Sequence, residues 1–297
     1  MKEKKNGPFK SINDFIKRVN PKDINKLQLE GLVKAGAFDS LETNRHSLLN
    51  SIPRMIQTNK SLFEEKNSNQ NSLFQIKSGD EEPIFNLDKV KPLSKNETLM
   101  HEFHSIGFYM SDHPLSIYKD YFNESKINSF SDFNNSAKNT SYVAGTIMSI
   151  QEKKSSKGTP FAIIKFTDLK SEFELFLFSD LLILNRDKLK EANSFILTLQ
   201  KDSTNNQNNM RRMNIKNILP LDNFVKKSYE NVTIEINGKS DLRELEKILN
   251  ENGDTKIQIK IKKSSKIYLF SLKKPRKINF NTFKNIRSKE YVKKISF

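Results

Sequence analysis

The hydrophobic period of this chain turns from helical to strand near Tyr142, and that change limits its architecture more than any other feature. Before it, apolar residues recur at helical spacing. Phe9, Ile12, Phe15, Ile16 and Val19 lead to Asn20-Pro21, and Ile24, Leu27, Leu29, Leu32 and Val33 lead to Gly36, which is placed to stop a helix. Arg45, Leu48, Leu49 and Ile52 mark a third helix, through which Pro53 is expected to pass, and Leu99, Phe103, Ile106 and Phe108 mark a fourth over 94–121. After Tyr142 the pattern is that of strands. Tyr142–Ile150, Phe161–Phe166 and Phe173–Phe178 are followed by a short helix at Leu181–Leu189, then by strands at Ser194–Gln200 and Met213–Leu219. The first turn is Ser155-Ser156-Lys157-Gly158-Thr159-Pro160. Three strands, a helix and two strands is the order of an OB-fold, a five-stranded barrel that often holds oligonucleotides. A further strand, helix, strand, strand pattern runs from Val232 to Leu272 and predicts a small α+β domain.

The expected fold class is therefore a multidomain α+β chain: a helical start (helix-hairpin-helix-like by the resemblance given below), an OB-fold barrel and a small C-terminal α+β domain. The expected boundaries are 1–63, a linker at 64–93, a helical connector at 94–138, the barrel at 139–221 and the last domain at 222–297. The polar run Glu-Glu-Lys-Asn-Ser-Asn-Gln-Asn-Ser between residues 64 and 72 cannot bury a core, which is why a linker is expected there.

Charge narrows the partners. Lys and Arg number 51 against 35 acidic residues, a formal net charge of +16. From Arg211 onward 22 basic residues face 9 acidic ones, so most of the excess lies in the last third. A positive field of that size favours polyanions. Cysteine is absent, which removes disulfides and thiolate metal sites, and no apolar run approaches a membrane span. A cytoplasmic chain with no membrane partner is expected. Neither a G-x-S-x-G elbow nor a Gly-rich phosphate loop occurs, and no catalytic residue is expected in this chain. His101 and His104 sit one helical turn apart around Glu102 but lack a convincing third ligand, so no metal and no cofactor are expected here.

Two motif groups resemble a known family. Gly7-Pro8-Phe9-Lys10, Asn25-Lys26-Leu27-Gln28-Leu29-Glu30 and Leu32-Val33-Lys34-Ala35-Gly36-Ala37-Phe38-Asp39 are similar to the helix-hairpin-helix region of the bacterial DNA polymerase III α subunit. Gly107-Phe108-Tyr109-Met110-Ser111-Asp112-His113-Pro114-Leu115 resembles the stretch leading into its OB domain, with Asp112 where the family commonly has glycine. The resemblance implies a C-terminal fragment of that subunit. Its Mg²⁺-dependent polymerase centre, a nucleotidyltransferase, and its PHP domain would lie upstream of Met1. It also implies a role in processive replication, with DNA (duplex and single-stranded), the sliding clamp and a τ-like subunit as partners. Gln70-Asn71-Ser72-Leu73-Phe74 is similar to the family's clamp-binding pentapeptide, in which Leu73 and Phe74 would enter a cleft and Gln70 would bond at its rim.

DNA contacts are expected at Lys26, Lys34, Gly36 and Arg45, and in the barrel at Lys153, Lys154, Lys157, Arg211 and Arg212. Gly36 reads equally as part of a phosphate-gripping hairpin or as a plain helix C-cap packed by Phe38. Phe161, Phe166 and Phe173 are candidate stacking platforms, although alternating Phe in a strand also suits a core. The basic run Lys262, Lys263, Lys266, Lys273, Lys274, Arg276 and Lys277 suits a protein partner or DNA. Two rivals stand beside the main reading: a fragment of the error-prone paralogue, and a stand-alone OB-fold single-strand-binding protein.

Overall fold

The computed structural model describes residues 7–68, 85–202, 213–226, 229–237, 242–263 and 266–297. They form an α+β chain of two compact units, Met1–Asp112 and His113–Phe297.

The first unit is helical. α1 (Ile12–Arg18) starts where the Ser11 hydroxyl accepts from the Asp14 N–H, and α2 (Lys26–Lys34) starts on a reciprocal capping box between Asn25 and Gln28. α3 (Arg45–Ser68) runs through Pro53 as expected, and extends into the segment expected to be a linker. Ile16, Leu29, Val33, Leu48, Ile52 and Met55 close the core among these helices. Asn59 of α3 satisfies the orphan carbonyls at the end of α1, donating to Ile16 O at 2.6 Å and Val19 O at 2.8 Å. α4 (Lys95–Ile106) ends earlier than its hydrophobic pattern suggests. Gly107 takes φ +80° and terminates it, so Phe108 and Met110 leave the helix and are exposed.

The second unit carries two sheets. α5 (Lys119–Glu124), β1 (Ile127–Asn128) and α6 (Phe130–Asn135) precede β2 (Thr140–Lys154), β3 (Pro160–Thr167), β4 (Glu172–Phe178), α7 (Ser179–Asn185), β5 (Ser194–Lys201) and β6 (Met213–Pro220). The strand order is β4-β3-β2-β5-β6, with β1 parallel to β2. The first half of β2 pairs with β5 and the second half with β3, and the register shifts between Ile147 and Ser149. A bulge there lets one long strand serve both sides of a curved sheet. Gly145 sits close beside it, where a Cβ would lie 3.1 Å from the Phe166 ring and 3.2 Å from Phe173, so a larger residue would press on both rings.

α8 (Leu221–Lys226) leads to the second sheet: β7 (Asn231–Asn237), α9 (Arg243–Ile248), β8 (Asn252–Lys263), β9 (Lys266–Ser271), α10 (Phe280–Arg287) and β10 (Val292–Ser296). Its order is β10-β7-β8-β9, with β7 and β8 parallel across α9. The strand, helix, strand, strand pattern matches the sequence expectation, and α10 and β10 are additional to it. β10 pairs with β7, and the short apolar repeats Phe283-Ile286 and Val292-Ile295 gain meaning only in the shared core cluster they join. No helix among the described residues is long and apolar enough to cross a membrane.

Candidate nucleic-acid interface

The turn between α2 and α3 is held from within. Gly36 has φ +83°, its N–H donates to Val33 O, and the Ala37 N–H donates to Leu32 O at 2.9 Å. These are the paired bonds of a helix C-cap, so the Gly36 and Ala37 N–H groups are engaged by the helix rather than offered to a phosphate. Arg45 is 8% exposed. Its guanidinium donates to Asp39 at 2.8 and 2.6 Å, to the buried Glu102 carboxylate at 2.9 Å and to Lys34 O at 3.1 Å. A Cβ on Gly36 would collide with that guanidinium and with Asp39 Oδ2. Glu102 also accepts from the N–H groups of Met110 (2.9 Å) and Ser111 (3.0 Å), which anchors the Gly-Phe-Tyr-Met-Ser segment. Burial alone would raise the Glu102 carboxyl, but those N–H groups and Arg45 outweigh it and hold it below the usual range. Hydrogen bonding to Asp39, despite burial, pushes the Arg45 guanidinium up. Arg45, expected as a DNA contact, has its donors committed inside the fold. Lys26 is exposed beside Glu30 at 3.8 Å, and Lys34 is half-buried. His101 and His104 flank Glu102, and burial pushes the His101 imidazole down.

The face of β2, β3 and β4 is arranged differently. β4 alternates strictly: Phe173, Leu175 and Leu177 are buried, while Glu172, Glu174, Phe176 and Phe178 are exposed. Phe166 (0% exposed) and Phe173 (6%) are core side chains, and Phe173 stacks on Phe130 at 4.2 Å, so neither is available to a base. The aromatic rings on the outer face are Phe161, half-buried, with Phe176 and Phe178. Directly paired residues share a face. Lys153 pairs with Phe161 and Phe161 with Phe178, while Gln151 pairs with Ile163 and Ile163 with Phe176. Two adjacent rows thus place three phenylalanines beside one lysine, and the Phe161 and Phe176 rings are 6.3 Å apart. The phase is legible in Glu172-Phe173-Glu174-Leu175-Phe176-Leu177-Phe178: two glutamates on the outer side put Phe173 inside and Phe176 and Phe178 outside.

These rings line an open cleft of about 1110 Å³ whose walls include Asn134, Ser155, Thr159, Lys201 and Met213. The β2–β3 turn forms one lip. Gly158 takes φ +77°, and the Ser155 N–H donates to Thr159 O at 2.9 Å. Lys153, Lys154 and Lys157 are all exposed there. Lys201, by contrast, is buried, donates to Ser136 O and lies 4.8 Å from the Phe133 ring. Asp168 is buried and structural: it accepts from the N–H groups of Phe130, Lys170 and Ser171 at 2.7–2.8 Å. Arg211 and Arg212, and the clamp-motif residues Gln70, Leu73 and Phe74, lie outside the described residues.

Residues 1–48 match the helix-hairpin-helix motif family. The chain is 36% identical over 194 residues to the DNA polymerase III subunit alpha of Rickettsia bellii (strain RML369-C), a match covering 64% of this chain and 16% of that protein. It is 34% identical over 201 residues to the subunit of the same name from Borreliella burgdorferi, covering 64% of this chain and 17% of the relative. For Halalkalibacterium halodurans the figures are 26% over 236 residues, 80% of this chain and 20% of the relative. The resemblance read from the motifs is thus borne out: the chain is similar to the DNA polymerase III α subunit, and matches a fifth or less of the length of these curated relatives.

Proposed function

We propose that this chain supports DNA replication by holding DNA and replisome partners, with bond-making left to other parts of an α subunit. The observation that carries the reading is the outward cluster of Phe161, Phe176 and Phe178 beside Lys153 in a chain similar to that subunit. In this reading β2–β6 act as an OB-type module. The phenylalanines stack successive bases of a single strand, while Lys153, Lys154 and Lys157, with Arg211 and Arg212, follow the backbone. Lys26 and Lys34 face duplex phosphates beside the helix-hairpin-helix, and Arg45 is left out of the DNA set. Gln70, Leu73 and Phe74 tether the sliding clamp, and the second sheet meets other replisome subunits, a τ-like one among them. Weak contacts on one chain raise each other's effective concentration, which is the physical basis of processivity here.

Two measurements on the purified chain test this. Fluorescence anisotropy with a labelled thymidine oligonucleotide is expected to show salt-sensitive binding that the Phe176→Ala/Phe178→Ala variant loses. Binding to the cognate clamp is expected to be lost in Leu73→Ala/Phe74→Ala. Oligonucleotide binding without clamp binding would favour the stand-alone single-strand-binding module; clamp binding with an unaffected Phe variant would move the strand off this face.

A further inference from the structure

The second sheet has two edges, and they are treated in opposite ways. β10 is a guarded edge. It is five residues long, its pairing with β7 shifts register between Val292 and Lys294, and Lys293 and Lys294 are exposed on it. A bulge and lysines are standard means of preventing a sheet from recruiting another strand. β9 has neither. Its ladder with β8 is regular from Gln258 to Lys263, and every one of its residues is exposed. Ile267, Tyr268, Leu269 and Phe270, four consecutive large apolar residues, are 61%, 42%, 57% and 52% exposed. Among the described residues no strand pairs with its outer side.

The two faces of β9 follow from its register. Phe270 pairs with Ile259 and Tyr268 with Ile261, and both isoleucines pack on the core, so these rings extend the apolar layer past its cover. Ile259 also lines a groove of about 380 Å³ with Leu242, Leu245 and Leu249 of the α9 region, Leu272 and Arg276. Leu269 and Ile267 lie on the other face beside Lys260 and Lys262. From Asn252 to Lys277 nine residues are Lys or Arg, and one, Asp254, is acidic.

We infer that β9 is a docking edge for an extended, acidic segment of a partner protein, which adds as a further strand and sets alternate apolar side chains against Tyr268 and Phe270. A row of open backbone groups matches a polypeptide strand rather than a nucleic acid. The rim is predominantly basic: Lys260 and Lys277 are paired with Glu235 and Glu251, but Lys262 and Lys266 are exposed beside the strand and supply the charge complementarity an acidic segment needs. The inference deepens the partner-docking part of the proposed function and rests on it only for the kind of occupant.

The test uses the full chain and a fluorescein-labelled, end-capped decapeptide in which glutamate alternates with valine. Binding on the order of micromolar is expected, together with slowed amide exchange across residues 266–271. Ile267→Glu/Leu269→Glu, at solvent-exposed positions on the face that the peptide's glutamates would share, is expected to weaken binding at least tenfold with unchanged thermal stability. A lysine-for-glutamate peptide, and one N-methylated at alternate residues so that it cannot pair, are expected not to bind. Equal binding of the N-methylated peptide, or no slowing at 266–271, overturns strand addition. Slowing of the same amides by a thymidine oligonucleotide, or by self-association of the chain, overturns the acidic-protein occupant. Oligonucleotide binding sensitive to Phe176→Ala, read on the same preparation, separates failure of this inference from failure of the functional reading.

Discussion

Two basic turns, one between α2 and α3 and one between β2 and β3, look alike in the sequence and are used in opposite ways. Each pairs a glycine at positive φ, Gly36 or Gly158, with nearby cationic side chains. At the first, Arg45 turns inward and its donors go to Asp39, Glu102 and Lys34 O. At the second, Lys153, Lys154 and Lys157 all face solvent beside exposed aromatic rings. The difference lies in what surrounds each turn. A helical unit presents a buried carboxylate and unsatisfied carbonyls to the first, and guanidinium geometry can serve several of them at once. At the β2–β3 hairpin, Lys153, Lys154 and Lys157 make no ion pair among the described residues.

The contrast is sharpest in stability. Arg45→Ala strands the Glu102 carboxylate, and equilibrium denaturation is expected to show a loss on the order of 3–5 kcal/mol, whereas Lys157→Ala is expected to stay within ~0.5 kcal/mol. Equal losses would erase the distinction. A core deletion calibrates the scale: Leu177→Ala, at a fully buried position, is expected to cost ~2–5 kcal/mol.

Acid sharpens the same comparison. The Glu102 carboxyl is depressed in the folded state, so the unfolded chain binds its proton more readily. Its contribution is therefore complete above the ordinary carboxylate value of 4.5 and is lost as pH falls through the lower folded value. Acid titration of stability is expected to show this loss in the wild type and to lack it in Glu102→Gln.

DNA binding inverts the order. Phe176→Ala is expected to weaken oligonucleotide affinity by ~1–3 kcal/mol per stacked base with little change in stability. Lys153→Ala is expected to have the smallest effect, lowering the salt-dependence slope for a single strand by about 0.7. A change in affinity without a change in slope would break the assignment of Lys153 to the backbone.

Local chemistry makes much of this chain legible from its sequence alone. Capping residues at Ser11 and Asn25, the stop at Gly36 and the β2–β3 turn at Ser155–Thr159 act through neighbours within a few positions. So does the alternation of β4, readable from Glu172 and Glu174, which turns Phe173 inward, to the core role that stood beside the stacking one. The motif resemblance to the polymerase α subunit is likewise written in short contiguous runs. What the sequence could not supply depends on residues far apart along the chain. Arg45 is buried because Glu102 reaches it from another helix, β10 exists because β7 offers it an edge, and β9 is left bare because no described element covers it. Such pairings depend on which surfaces meet after the chain collapses, and the same lysine or leucine becomes core, rim or docking edge according to that outcome alone.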